Sequence, residues 1–167
     1  LQIITENAAD AIVCVDDRDE IYVWNKKAHE IFGYTAEEAK GKPFHSLIVP
    51  ERHREKAAKG LELFFKTGTG PIIGKTLELT ALRKDGAEFP VELSIAAMNI
   101  RGHWHSTAVI RDVTARKKME DELRQRLEEF ERLNKLMVGR ELRMEELKKE
   151  IQSLEDKILQ LRGPDGR

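Results

Sequence analysis

From Leu123 onward every seventh residue is apolar: Leu123, Phe130, Met137, Met144, Ile151 and Ile158. Three positions after each runs a companion series, Arg126, Leu133, Arg140, Leu147, Leu154 and Leu161, apolar at four of its six places. A strict seven-residue repeat does not match the turn of a straight helix, so such a stripe keeps facing a neighbour only if two helices supercoil. Residues 115–162 suit that reading, with no proline, one glycine (Gly139) and 25 charged residues of 48. Isoleucine at 151 and 158 with leucine at 147, 154 and 161 is the choice that favours two parallel strands, so a parallel homodimer is the expected association. A helix folded back on its own domain is the alternative. Arg126 and Arg140 interrupt the seam, and Gly139 costs about 1 kcal/mol relative to alanine, so movement is easiest there.

Residues 1–114 follow a different pattern. They hold four of the five prolines and mix short apolar runs with turn signals. The runs 11–16 and 20–24, separated by Asp17-Arg18-Asp19, predict two strands of a hairpin. Residues 26–32 predict a short amphipathic helix stopped by Gly33, and Thr35 with Glu38 predicts a capping box. Residues 51–66 space Ala57, Leu61 and Phe64/Phe65 at helical intervals before the loop 67–71. Strands are expected at 74–82, 89–98 and 104–112, with Lys84-Asp85-Gly86 and Arg101-Gly102 as turns. The fold class is therefore α+β: a five-stranded antiparallel sheet, then one long helix. The domains are 1–114, 115–162 and a flexible tail, 163–167.

Charge and length narrow the function. Formal net charge is -1, with both signs interspersed, so a nucleic-acid partner is not indicated. No stretch approaches the roughly 20 apolar residues of a membrane span, and residues 1–10 lack a signal peptide's pattern. A single cysteine, Cys14, cannot close an internal disulfide or build a thiolate metal site. The expected location is the cytoplasm. Leu1 is not a natural start, so the chain is expected to be part of a larger protein.

Three stretches, ADAIVCVDDRDEIYVWNKKAHEIFGYTAEEAKGKPFHSLIVPE, LRKDGAEFPVELSIAAM and VIRDVTARKKMEDEL, together resemble a PAS domain with its helical extension. The specific elements are Asn25 to Gly33-Tyr34-Thr35, the hairpin Arg83-Lys84-Asp85-Gly86 to Phe89-Pro90-Val91-Glu92, and the exit Asp112-Val113-Thr114. The later stretch RLNKLMVGRELRMEELKKEI looks like the connector that follows sensory domains in histidine kinases and cyclases. The resemblance implies helices over one face of the sheet, a small-molecule pocket between them, and output through the terminal helix. The effector, a histidine kinase of a two-component system, would lie outside these residues.

The expected pocket residues are Trp24, Phe32, Phe44, Leu47, Ile48, Leu61, Phe65, Ile73, Leu93 and Ile95, each of which ordinary core packing explains equally well. No cofactor is required by them, and haem and FAD are the alternatives. The stretch around 51–66 and Ile72-Ile73-Gly74 looks like oxygen-sensing haem kinases, yet the place of that family's axial histidine falls on Ala57 and that of its gas-holding arginine on Leu77. His53, one turn before Ala57, is the remaining ligand candidate. The cysteine motif of blue-light sensors is absent from 41–51, which leaves non-covalent FAD, stacked by Trp24 and Phe44. His103 and His105 would share a strand face, as metal ligands can, but a hairpin tip accounts for them, so no metal site is expected. His29 and His45 are expected as surface or capping residues. Gly74-Lys75-Thr76 lacks the earlier glycine of a phosphate loop, because residue 69 is threonine.

No nucleophile–base pair, metal set or phosphoacceptor site is legible, so a regulatory role is expected rather than catalysis. Asp112-Val113-Thr114 joins the last strand to the heptad helix without a linker. Thr114 is the expected helix cap, and Asp112 the expected answer to Arg116, Lys117 and Lys118, which crowd the helix's positive end. Two functions follow: a sensory and dimerising module that relays through this junction, or a ligand-free interaction scaffold.

Overall fold

The computed structural model describes residues 6–161, so the expected tail at 163–167 lies outside the described residues. The chain divides into two compact units between Lys118 and Met119. In the first, β1 (Ala11–Val15) and β2 (Ile21–Trp24) open the sheet, followed by α1 (Lys26–Phe32), α2 (Ala36–Ala39), α3 (Phe44–Ile48) and α4 (Glu51–Thr67). Then come β3 (Thr76–Leu82), β4 (Glu88–Ile100) and β5 (His103–Asp112), and α5 (Thr114–Leu161) runs out as a single helix of 48 residues. The five strands pair antiparallel in the order β2-β1-β5-β4-β3, which makes β1 and β5 neighbours at the centre.

Local chemistry sets these boundaries. Asn25 is almost completely buried; its Oδ1 accepts from Ala28 N–H at 2.9 Å, capping α1, and from Ile12 N–H at 3.0 Å. One side chain thus ties the start of α1 to β1. Gly33 closes α1 at φ 81, a left-handed backbone that suits glycine. The Thr35–Glu38 capping box forms as expected, with both reciprocal bonds in place.

β4 and β5 extend beyond the expected strands because Arg101 (φ 54) and Gly102 (φ 90) both turn left-handed, the geometry of a two-residue hairpin. Pairing therefore continues out to Ile100 and His103. Gly74, at φ 71, makes a turn that delays β3 to Thr76.

Alternation along β4 buries Phe89, Val91, Leu93 and Ile95 on one face. Residues paired across strands share a face, so Ala81, Ile110 and Ala108 join them. Trp24, Phe32, Phe44, Leu47 and Ile48 close over this face in one continuous core.

α4 contributes less, since Phe64 is its one buried residue. Its C-terminal end is fastened where Gly68 lies against the Trp104 ring. A Cβ built on Gly68 would stand 2.3 Å from two ring carbons, and φ there is +69. Gly68→Ala is therefore expected to cost about 1–3 kcal/mol, from overpacking and left-handed strain together, measurable as a lower urea midpoint with unchanged slope.

Candidate functional site

Two places in the first unit carry features beyond packing: the apolar layer under the helices, and the exit from β5 into α5. In the apolar layer, Trp24, Phe32, Phe44, Leu47, Ile48, Leu93 and Ile95 meet in the core, with Ile73 partly buried against it. Leu61 and Phe65 are half-buried on α4 and stand outside that cluster. Of the adjacent phenylalanines Phe65 was the expected pocket residue, and the structure buries Phe64, with the two rings 5.3 Å apart.

Leu79 lies on the same sheet face, opposite buried Val91, yet remains 42% exposed. β3 thus leaves part of this apolar face open at Leu79. Arg52 in the first turn of α4 makes a two-pronged bond to Glu88, at 2.5 and 2.6 Å, holding that end of the helix near β4.

Trp24 Nε1 donates to the Tyr34 carbonyl at 3.0 Å, which fixes the indole's orientation. Asp19 bonds His45 through its side chain and accepts from the His45 N–H at 3.3 Å, so it holds the start of α3. Burial pushes the Asp19 carboxyl up, against the opposing pull of His45. His29 Nδ1 lies 2.9 Å from the Tyr34 carbonyl, beside the end of α1.

The groups considered for cofactors fall elsewhere. His53 is exposed on α4, whereas Ala57 is half-buried, so the residues present do not supply a haem ligand facing the core. His103 sits 2.5 Å from Asp17 and His105 packs edge-on to Tyr22. Among the described residues no group of three His, Cys, Asp or Glu side chains could hold a metal ion. Cys14, on β1, contacts the Thr107 hydroxyl at 3.4 Å.

The exit is built around Arg83, which in the sequence was part of a hairpin motif with no role of its own assigned. One guanidinium nitrogen donates to the Ile31 carbonyl near the end of α1, and the other reaches Asp112 Oδ2 at 2.5 Å. The same group lies 3.7 Å over the Phe89 ring. Asp112 Oδ1 in turn accepts from Thr114 N–H at 2.8 Å. Burial raises the Asp112 carboxyl, but hydrogen bonds from Thr114 and Arg83 outweigh it and hold the group below its ordinary value. Beside these residues lies an open depression of about 310 Å³, bordered by Asp10, Lys27, Arg83, Arg111 and Asp112.

Two expectations are corrected here. Thr114 is the first residue of α5 rather than its cap: its hydroxyl accepts no later helical N–H, and its own N–H donates to Asp112 Oδ1. The acidic answer to the basic first turn comes from the sheet. Glu78 binds Arg116 at 2.6 Å and also Lys117, while Glu92 lies 3.7 Å from Arg116. Glu78 and Glu92 are paired across β3 and β4, where two like charges alone would repel. The cations of α5 relieve that repulsion. The sequence could not show this, because the pairing joins positions 38 residues apart.

In the second unit the seam residues Leu123, Phe130, Leu133, Met137, Met144, Leu147, Ile151, Leu154 and Ile158 are all exposed, from 38% at Leu147 to 69% at Leu123. The Leu161 side chain lies outside the described residues. The exposed stripe is consistent with a coiled coil. Among the described residues no helix is long and apolar enough to cross a membrane.

A family model described as "PAS domain" matches residues 9–115. The chain is 27% identical over 136 residues to the sensor protein FixL of Bradyrhizobium diazoefficiens, covering 81% of this chain and 27% of that one. It is 31% identical over 133 residues to the cell-division control histidine kinase PdhS of Brucella ovis, covering 79% and 12% respectively. The crystal structure of a PAS domain from Colwellia psychrerythraea superposes with a TM-score of 0.57 at 26% identity, covering 68% of this chain and 93% of that one. The chain thus spans about a quarter or less of the length of these two curated relatives.

Proposed function

Starting from the fact that this chain belongs to the PAS family, we propose that it is the sensory and dimerising part of a longer signalling protein, passing changes in its core through Asp112 into α5. The relatives named above support a histidine-kinase context, and the effector would lie beyond the residues described. The observation that carries the reading is the Arg83 bridge. One side chain touches α1 through Ile31, the core through Phe89 and the helix exit through Asp112. A displacement of α1 or Phe89 therefore has a direct mechanical route to the first turn of α5. A ligand in the apolar layer would shift the junction only by favouring one of its two arrangements over the other.

The stripe on α5 supports pairing with a second copy, because nine large apolar side chains at seam positions of the seven-residue pattern are exposed among the described residues. Asp112→Ala is expected to leave the fold intact and to uncouple stimulus from output in the full protein. Normal regulation in that variant would count against the relay. The competing reading, a ligand-free interaction scaffold, is supported by the continuous core that Trp24, Phe32, Phe44, Leu47, Ile48, Leu93 and Ile95 form among themselves. Near-ultraviolet and visible absorbance, with native and denaturing mass spectrometry of the purified chain, separates the two. A retained small molecule supports sensing, whether flavin, haem or colourless.

A further inference from the structure

The first turn of α5 is fastened on two faces of the sheet, and we propose that the edge strand β3 is a second input to that turn, with Glu78 as its positioning residue. This rests on the reading that the signal leaves through α5, and adds a route that does not pass through Arg83. Successive residues of a strand point to opposite faces, so Leu79 looks toward the apolar layer while Glu78 looks away from it. Glu78 is where the strand meets the exit helix.

Arg116 and Lys117 place positive charge at the positive end of a helix that has no acidic residue in its first turn, which weakens that end. Asp112 supplies one remedy, but its oxygens are engaged by Arg83 and the Thr114 N–H. Glu78 supplies the other. One of its oxygens binds Arg116 at 2.6 Å and the second binds Lys117, and these partners, Lys117 first, hold its carboxyl below the ordinary value. With Glu78 drawn away, Arg116 keeps Glu92 at 3.7 Å, whereas the bond between Glu78 and Lys117 is lost and the charge crowding returns.

β3 is placed to move. It pairs with β4 alone, and its inner face is open at Leu79, which is exposed although it lies opposite buried Val91. A molecule that covers Leu79, or a rearrangement of the apolar layer that shifts it, moves the neighbouring Glu78 with the backbone they share. The helix start responds because its outer fastening travels with that carboxylate. Glu78, Arg116 and Lys117 are also more exposed than Arg83 and Asp112, so this fastening is the weaker of the two and the first to open.

The test is amide hydrogen exchange of the full chain, read at position 117, where the N–H donates to the Val113 carbonyl at 2.9 Å. Val13 and Ala108, paired in the central strands, serve as references. Glu78→Gln should speed exchange at 117 about fivefold and leave the references unchanged. Equal acceleration at all three positions would mean a general loss of stability and would overturn the proposal, as would no change at 117. Lys117→Glu, corrected for the intrinsic rate of the new side chain, separates the alternatives by sign. An acidic residue in the first turn by itself slows exchange, whereas opposite Glu78 it speeds it, so slower exchange would also overturn the proposal. Combining Lys117→Glu with Glu78→Lys should return the rate to near that of the original chain, because the pair is restored with its signs exchanged.

Leu79→Ala tests the route itself, since it loosens β3 from the face opposite Glu78. It should speed exchange at 117 about twofold in the original chain and add nothing in the Glu78→Gln background, the mark of two residues acting through one contact. Equal increments in both backgrounds would show that β3 does not act through Glu78. Normal regulation in the Asp112→Ala variant of the full protein would remove the relay reading while leaving these exchange rates as they stand, so the two failures are distinct.

Discussion

Replacing Phe32 by alanine is expected to cost about 3–5 kcal/mol of folding stability, a large part of what holds an ordinary domain together. Phe32 is fully buried, with its ring 5.6 Å from that of Trp24 and 5.7 Å from that of Phe89. It is also the last residue of α1, and its carbonyl accepts from Lys84 N–H at 2.9 Å. Truncation would open a cavity between three elements that the backbone still holds apart, so collapse could fill it only in part. Denaturant unfolding followed by tryptophan fluorescence reads the loss, with the Trp24 indole beside the new cavity. Phe65→Ala is the control: that ring is half-buried and outside the core cluster, so its loss should cost about 1 kcal/mol. Equal costs for the two would mean that the core is centred elsewhere than the structure places it.

These two phenylalanines also mark where sequence reasoning succeeds and fails. Phe32 was legible because it ends an amphipathic turn directly before a capping glycine, and local periodicity fixes both its helix and its buried side. Phe64 and Phe65 lie side by side on a helix that touches the sheet mainly at its far end, so periodicity gave poor grounds for naming Phe65, and the buried ring is that of Phe64. The hairpin turns and the Thr35–Glu38 cap were readable for the same reason as Phe32, because short-range chemistry specifies them, whereas the pairing of β1 with β5 joins distant positions such as Ala11 and Ile110. The roles of Arg83, Glu78 and Asp19 were not legible because their partners are distant in sequence. Asp19 looked like one of three turn residues, yet it takes a left-handed φ of 66 and becomes the buried partner of His45. The seam of α5 was legible as a pattern, because a seven-residue spacing of apolar residues is a property of the sequence alone.

The junction yields the other large effect. Arg83→Leu should destabilise the first unit by about 3 kcal/mol near neutral pH, because it keeps the stem's volume while removing every partner of the guanidinium. The Ile31 carbonyl loses its donor, Phe89 loses the cation over its face, and Asp112 retains Thr114 but no counter-charge. Arg83 and Asp112 are 28% and 26% exposed, so water offsets part of the loss and the cost falls at the lower end for a broken buried pair. The pH dependence separates this account from a simple packing defect. The folded Asp112 carboxyl lies below its ordinary value of 3.8, so its contribution is present above that pH and disappears as pH falls through the folded value. Without Arg83, burial is less opposed and the folded value rises. The stability gap between the two proteins should therefore be widest at neutral pH and narrow in acid, where both carry a neutral carboxyl at 112. A gap that stays constant from neutral pH into acid would show that Arg83 acts through its alkyl stem and neighbours, and would break the link between the core and the exit helix on which the relay depends.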